Sequence, residues 1–309
     1  MYIFGPVPSR RLGLSLGIDL LAGKSCNLNC IYCELGRSFK LVSKRGVFVK
    51  TADVIAEIKE FFDKGGNTDY VTISGSGEPT LALNLGEVIS EIKKITDKKI
   101  AVITNGVLLS DKNVRKDLMA ADVVLPSLDA VTKETFIKIN RPHKSITAEK
   151  VVKGLKDFAK EYKGEIWLEI MVVKGFNDNE KEILAIKKVI DSIPRIKSIQ
   201  LNTVVRSRAE ESAEPVDAVK LEALRAVLGP KAEVIGNYKG DKLKTIDNIE
   251  DAMFDAILRR PMTIEDFVQS LNIQKKDIEK HIKNLVGHGK IIKEVFGDKE
   301  FYKSTGKQL

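Results

Sequence analysis

Six short apolar runs rich in β-branched residues recur along the first 205 residues, each ended by Gly, Asn, Asp or Ser. They are LGLSLGIDLL (12–21), YVTISGSG (70–77), KIAVITNG (99–106), DVVLPSLD (122–129), IWLEIMVV (166–173) and SIQLNTVV (198–205). Runs of this kind read as buried parallel strands, because a strand covered on both faces loses its polar alternation. Helical patterns lie between them. Val54, Ile55, Ile58, Phe61 and Phe62 share one face, as do Leu85, Val88, Ile89, Ile92 and Ile95. In FNDNEKEILAIKKVIDSI the face is Ile183, Ile186, Ile190 and Ile193, with Asn177 and Glu180 expected to form a capping box. Thr147 is placed to cap AEKVVKGLKDFAKEY, and PVDAVKLEALRAVLG is the last helix of the series. Six strand–helix units with right-handed crossovers give an α/β fold, a partial (β/α)6 TIM-like barrel rather than the closed barrel of eight. Its reactive mouth is expected at the carboxyl ends of the strands.

The pattern changes after residue 230. NYKGDKLKTID is polar and reads as a linker. IEDAMFDAILRRP, MTIEDFVQSLN and IQKKDIEKHIKNLVGHG then read as three helices, the second capped by Thr263 with Asp266 three residues on. KIIKEVFGDKEFYK reads as a hairpin turning at Gly297-Asp298. Three helices and a hairpin resemble a small winged helix–turn–helix domain. The expected division is 1–236 for the barrel, 237–247 for the linker and 248–309 for the small domain.

The 309 residues contain three cysteines, and all fall in CNLNCIYC: Cys26, Cys30 and Cys33. An odd number cannot pair within the chain, so a disulfide framework is not expected and a reducing cytoplasm is the natural setting. With 43% apolar and 30% charged residues, the composition is that of a soluble globular protein. No apolar run reaches the ~18 residues that span a bilayer, and MYIFGPVPSRRLG lacks the order of a secretory signal. Net charge is +8, and +6 of it comes from residues 1–50, where eight Lys/Arg face only Asp19 and Glu34. That is either a solvated basic face or a rim that draws an anionic substrate toward the cysteine loop.

Thiolates at close spacing bind a soft metal or do redox chemistry. Structural zinc wants four ligands, and of the three histidines only His143 lies outside the C-terminal segment. A Cys30-x2-Cys33 dithiol leaves Cys26 unexplained. Three buried unpaired thiols conflict with the neighbours Asn27, Asn29, Glu34 and Arg37. Three thiolates suffice, however, for three irons of a four-iron cluster, leaving the fourth iron open to a chelating small molecule.

The Cys-x3-Cys-x2-Cys spacing, with Tyr32 just before the last cysteine, resembles the radical S-adenosylmethionine (SAM) superfamily. GSGEP (75–79) at the end of the second strand looks like that family's Gly-Gly-Glu-Pro segment, with Ser76 replacing its first glycine. The resemblance implies a [4Fe–4S] cluster on Cys26, Cys30 and Cys33, whose open iron binds the amino and carboxylate groups of SAM. Reductive cleavage then yields methionine and a 5′-deoxyadenosyl radical. It further implies cofactor contacts from Tyr32, Gly75, Ser76, Gly77 and Glu78, the last accepting from the ammonium. Thr104, Asn105, Ser127, Asp129 and Asn202, at the ends of later strands, are cofactor contacts or simple turn residues. A reductant such as flavodoxin or ferredoxin is the expected partner.

MYIFGPVPSRRLGLSLGIDLL, INRPH (139–143) and SIQLNTVVR (198–206) resemble the branch that contains the radical enzyme of tRNA wyosine synthesis. That enzyme also uses a second cluster, for which no cysteines remain here, and a reactive lysine, for which Lys174 is the speculative counterpart. Two substrate classes follow. One is RNA, with a tRNA base modified and with Arg10, Arg11 and Arg37 holding the substrate. The other is a protein or peptide, as in glycyl-radical activases. A cluster-containing regulator is a third reading. The C-terminal segment 248–309, with eleven Lys/Arg against ten Asp/Glu, is electrostatically weak for nucleic-acid binding, and either nucleic-acid contact or protein docking is expected of it.

Overall fold

The computed structural model describes residues 1–309 except 22, 39, 207, 236–248, 260, 272 and 306–309. The expected linker at 237–247 therefore lies outside the described residues. Elements follow in the order β1 (Ile3–Ser9), β2 (Gly13–Ile18), α1 (Thr51–Asp63), β3 (Tyr70–Ile73), α2 (Leu85–Ile95), β4 (Lys99–Thr104), α3 (Lys112–Leu118) and β5 (Val123–Pro126). Next come α4 (Lys133–Asn140), α5 (Ala148–Glu161), β6 (Glu165–Val172), α6 (Glu180–Asp191), β7 (Ile196–Thr203), α7 (Ala218–Leu228) and β8 (Ala232–Val234). The last are α8 (Ile249–Arg259), α9 (Ile264–Leu271), α10 (Lys275–Gly287), β9 (Ile291–Phe296) and β10 (Lys299–Ser304).

Eight strands form one sheet in sequence order; β2 through β8 are parallel and β1 is antiparallel to β2. This is the curved α/β sheet of a partial barrel. Among the described residues its first and last strands are not paired with each other. The main core lies between sheet and helices: Ile58, Val88, Ile92, Leu155, Phe158 and Ile186 pack on Ile18, Ile73, Val102, Val124 and Leu168. On the concave side, Leu12, Ala101, Val123 and Leu125 form a separate apolar cluster, with Tyr70 and Trp167 against it.

Each run called from the sequence contributes a strand, but the strands end earlier than the runs. The polar tails Ser74–Gly77, Asn105-Gly106 and Ser127–Asp129 leave the sheet at its carboxyl ends. Capping of α6 also shifts. Asn179 accepts from the Glu182 amide at 3.0 Å, while Asn177 is buried and bonds Asp129 O, Met171 O and the Val173 amide. The side chain of Asn177 ties two strand ends together instead of starting a helix. Thr147 does cap α5, and Thr263 and Asp266 cap α9 reciprocally at 3.0 Å each.

The three C-terminal helices and the β9–β10 hairpin have their own core, from Met253, Ile257, Met262, Phe267, Ile278, Ile282 and Leu285. Phe4, Val7 and Leu14 of the β1–β2 hairpin complete that core, so the segment packs directly on the edge of the sheet. At the tip of its hairpin, Phe296 lies against the cluster of Ile31, Ile139, Val173, Val204 and Ala213, beside Tyr32. The Arg208 guanidinium stands 4.6 Å from the centre of the Phe296 ring. No helix among the described residues is long and apolar enough to cross a membrane.

Candidate active site

The connection from β2 to α1, residues 19–50, carries the cysteines and is stapled from three sides. Ser25 pairs with Gly77: the Ser25 amide donates to Ser76 O at 3.0 Å and the Glu78 amide to Ser25 O at 2.9 Å. Val42 donates to Cys26 O at 2.8 Å. Along the third side, Asn29 and Ile31 donate to Asn140 O and Ile139 O, and His143 donates to Asn27 O, all within 3.0 Å. Thus GSGEP and INRPH both hold the cysteine loop. Within it, Asn27, Leu28 and Ile31 are buried in the protein, while the three cysteines are partly exposed and line one cavity.

The close approach at Gly77 explains that glycine. Its φ is +156°, and a Cβ there would stand 1.8 Å from the Ser25 carbonyl oxygen. The backbone that approaches Gly77 is the cysteine loop itself.

Each sulfur has a side-chain N–H donor. Lys24 Nζ lies 3.5 Å from Cys33 Sγ, Asn105 Nδ2 3.7 Å from Cys26 Sγ and Asn140 Nδ2 3.4 Å from Cys30 Sγ. Burial, and then Glu78, pushes the Cys26 thiol up to about 12; burial and Asp129 also raise Cys30. A redox dithiol depends on a depressed pKa, and these thiols are displaced the other way.

Among the described residues no three His, Cys, Asp or Glu side chains converge tightly enough to hold a single metal ion. One zinc at ~2.3 Å from each sulfur would need its ligands nearly in contact. A polynuclear cluster spreads its thiolates farther apart. Three soft donors without a fourth protein ligand, each sulfur supported by an N–H group, fit a four-iron cluster with one iron left open.

The cavity, of about 370 Å³, runs from the cysteines into the barrel. Alternate residues of the strands face it, as the period of two requires: Ser15 and Gly17, Thr72 and Ser74, Glu169 and Met171. Tyr32, Gly75, Gly77, Glu78, Thr104, Asn105, Ser127, Asn202, Arg10 and Arg11 also line it. Ser76 and Asp129 are not among its lining residues. The Ser76 amide and hydroxyl both donate to Asp19, whereas Asp129 accepts from the Tyr32 hydroxyl, from Asn140 at 2.8 Å and from the Met171 amide at 2.9 Å. Asp129 therefore orients Tyr32 from behind. Burial raises its pKa to about 6 against these donors.

Glu78 is buried, and its carboxylate is largely occupied. Oε1 accepts from the Thr80 amide (3.0 Å), the Thr80 hydroxyl (2.5 Å) and the Thr104 hydroxyl (2.6 Å); Oε2 accepts from the Asn105 amide (2.7 Å). It ties the end of β3 to the end of β4, and only Oε2 keeps room for another donor. Two further expected residues are not brought to the cavity. Lys174 is exposed and paired with Glu214 at 3.1 Å, and Arg37 is exposed and paired with Glu210 at 2.7 Å. Four site residues were not singled out from sequence: Lys24, Asn140, Glu169 and Arg206. Asn140 and Arg206 lie in the INRPH and SIQLNTVVR segments, and Glu169 is the lone charge inside an apolar strand.

A three-thiol loop at the carboxyl ends of a partial barrel defines an S-adenosylmethionine radical enzyme, and the chain belongs to the radical SAM superfamily, whose sequence model matches residues 21–185. Enzymes of this superfamily use a [4Fe–4S] cluster and SAM. Over nearly its whole length the chain also belongs with the UPF0026 proteins. It is 32% identical to the UPF0026 protein of Methanocaldococcus jannaschii over 307 residues, covering 97% of this chain and 94% of that one. A protein of Brachyspira hyodysenteriae named GTPase Obg is 37% identical over 297 residues; the match covers 95% of this chain but spans 44% of that protein. In fold, the chain is similar to a radical SAM methyltransferase of Sphaerobacter thermophilus, at a TM-score of 0.54 and 13% identity, over 71% of this chain and 65% of that one.

Proposed function

We propose that this enzyme modifies RNA, at a base of tRNA, by radical chemistry. When bound, the cluster and SAM supply the 5′-deoxyadenosyl radical that abstracts hydrogen from substrate. The observation that carries the reading is the one cavity in which the three cysteines, the strand-end polar groups and the arginines Arg10, Arg11 and Arg206 meet.

Cys26, Cys30 and Cys33 would hold three irons, with Lys24, Asn105 and Asn140 donating to the sulfurs. Tyr32, fixed by Asp129, forms one wall of the cavity. Glu78 Oε2, which keeps room for another donor, would accept from the cofactor's ammonium. The apolar cluster below (Leu12, Ala101, Val123, Leu125) keeps water out of the barrel floor. The C-terminal segment is a winged helix–turn–helix module, with Lys275, Lys276, Lys280 and Lys283 exposed on α10 for the RNA backbone. A flavodoxin or ferredoxin supplies the electron, in the cytoplasm.

The test is anoxic reconstitution with iron, sulfide and dithionite, followed by measurement of 5′-deoxyadenosine with and without bulk cellular RNA. Stimulation by RNA, and deuterium transfer from labelled RNA into 5′-deoxyadenosine, are expected. Stimulation by a protein fraction and none by RNA would overturn the substrate assignment.

A further inference from the structure

Three arginines enter the cavity from two separate elements. Arg10 and Arg11 come from the turn between β1 and β2, and Arg206 follows β7. Two of them have carboxylate partners: Arg11 meets Glu169 at 2.7 Å, and Arg206 meets Glu34 at 3.2 Å. Arg10 has none. Its Nη1 donates at 3.0 Å to Asn202 Oδ1, a neutral acceptor. Asn202 in turn donates to Glu169 at 3.2 Å, so Arg10, Arg11, Glu169 and Asn202 of the seventh strand form one network.

The electrostatics agree with that pairing. Burial, and then the neighbouring Arg206, lowers the Arg10 pKa to about 10, so the nearby carboxylates do not compensate its charge. Burial also works against Arg206, but Glu34 and Asp266 outweigh it and hold its pKa above the ordinary value. For Glu169 the burial cost is outweighed by Arg11, and its pKa is held down. Arg206 nevertheless keeps an unused donor: its Nε is buried without a hydrogen-bond partner, although the residue is only 8% exposed. A half-buried cation without an ion-pair partner and a buried N–H without an acceptor are both costly, and one anion can relieve both.

We infer that Arg10 and Arg206 form a phosphate subsite, which holds a phosphate of the nucleotide whose base or sugar is presented to the cysteine loop. Donors arriving from two elements suit a tetrahedral oxyanion. A planar carboxylate is matched by a single guanidinium fork and does not need donors from two elements. The negative charge of a phosphodiester is opposite in sign to the Arg10 guanidinium, whose one side-chain partner is the neutral Asn202. The inference rests on the RNA reading above, and it assigns the recognition of substrate to the inside of the barrel.

The experiment is equilibrium dialysis of the reconstituted full chain against a labelled single-stranded RNA pentanucleotide and, separately, a nucleoside monophosphate, across a salt series. Wild type, Arg10→Gln, Arg10→Lys and Lys138→Gln are compared. The last removes one charge from an exposed pair with Glu134 on α4. Arg10→Gln is expected to weaken RNA binding at least tenfold and to lower the slope of log K against log salt by about 0.7, the loss of one single-strand phosphate contact. Arg10→Lys should recover part of the affinity and most of the slope, while Lys138→Gln should behave as wild type. Inorganic phosphate should compete and acetate should not.

Arg10→Gln binding within twofold of wild type, an equal loss in Lys138→Gln, or equal competition by acetate would each overturn the subsite. If the monophosphate binds in an Arg10-dependent way and RNA does not bind, the subsite stands and the RNA reading falls. If wild type forms no 5′-deoxyadenosine, the radical reading fails independently of either result.

Discussion

Replacing Gly77 with alanine tests the coupling between the GSGEP segment and the cysteine loop. The new methyl group would start 1.8 Å from Ser25 O and 2.6 Å from Ser25 C. Non-bonded carbon and oxygen settle at ~3.3 Å or more, so one backbone must retreat by roughly 1.5 Å. The two bonds that join the segments, Ser25 N to Ser76 O and Glu78 N to Ser25 O, cannot survive that displacement. Each contributes ~1 kcal/mol. Holding alanine at φ +156° adds ~1–3 kcal/mol, for a total of ~3–5 kcal/mol. Because Ser25 precedes Cys26, the same shift misplaces the first iron ligand. Urea unfolding at constant m-value reads the stability, and iron and sulfide content after anoxic reconstitution reads the site. Gly65→Ala is the reference: φ there is +80° with no atom within 4 Å of the added carbon, so only a backbone cost of ~1 kcal/mol and full iron content are expected. A Gly77→Ala protein within 1 kcal/mol of wild type and carrying its full iron complement would refute the reasoning.

Cys30→Ala should abolish both the iron–sulfur absorbance and 5′-deoxyadenosine formation; turnover by this variant would rule out the chemistry. Asn140→Leu removes the N–H donor to Cys30, so the midpoint potential of the reconstituted cluster, followed by electron paramagnetic resonance, should move to more negative values. Asp129 has a folded pKa of about 6 against an ordinary 3.8. The folded state therefore keeps a proton that the unfolded state has released between those values, and raising pH through that window costs about 3 kcal/mol of stability. In iron-free protein, Asp129→Asn should lose this fall, seen as a smaller drop in urea stability from pH 4 to pH 7.5 than in wild type.

The apolar runs made the parallel strands legible, because a strand covered on both faces has little choice of residue. The first strand was not legible: IFGPVPS contains two prolines, which argue against a strand, yet β1 tolerates them as an edge strand whose register shifts between Phe4 and Val7. The helices α3 and α4 are too short to show a strong period. In the site, the cysteines and GSGEP stood out because spacing along the chain carries their chemistry. Glu169, Arg206 and Asn140 did not, since each acquires its role from a partner 30 to 170 residues away, a closeness only the fold creates. Conversely, Lys174 and Arg37 had the right chemistry and sequence position, but their side chains meet surface carboxylates instead.

The shared core at Phe4, Val7 and Leu14 makes the barrel a tenant of its own tail. Cutting the chain ahead of α8 would uncover oily side chains on the outermost strand and withdraw Phe296 from the lip beside Tyr32. Excising the final sixty residues to obtain a minimal catalyst would thus alter the entrance and the solubility of what remained.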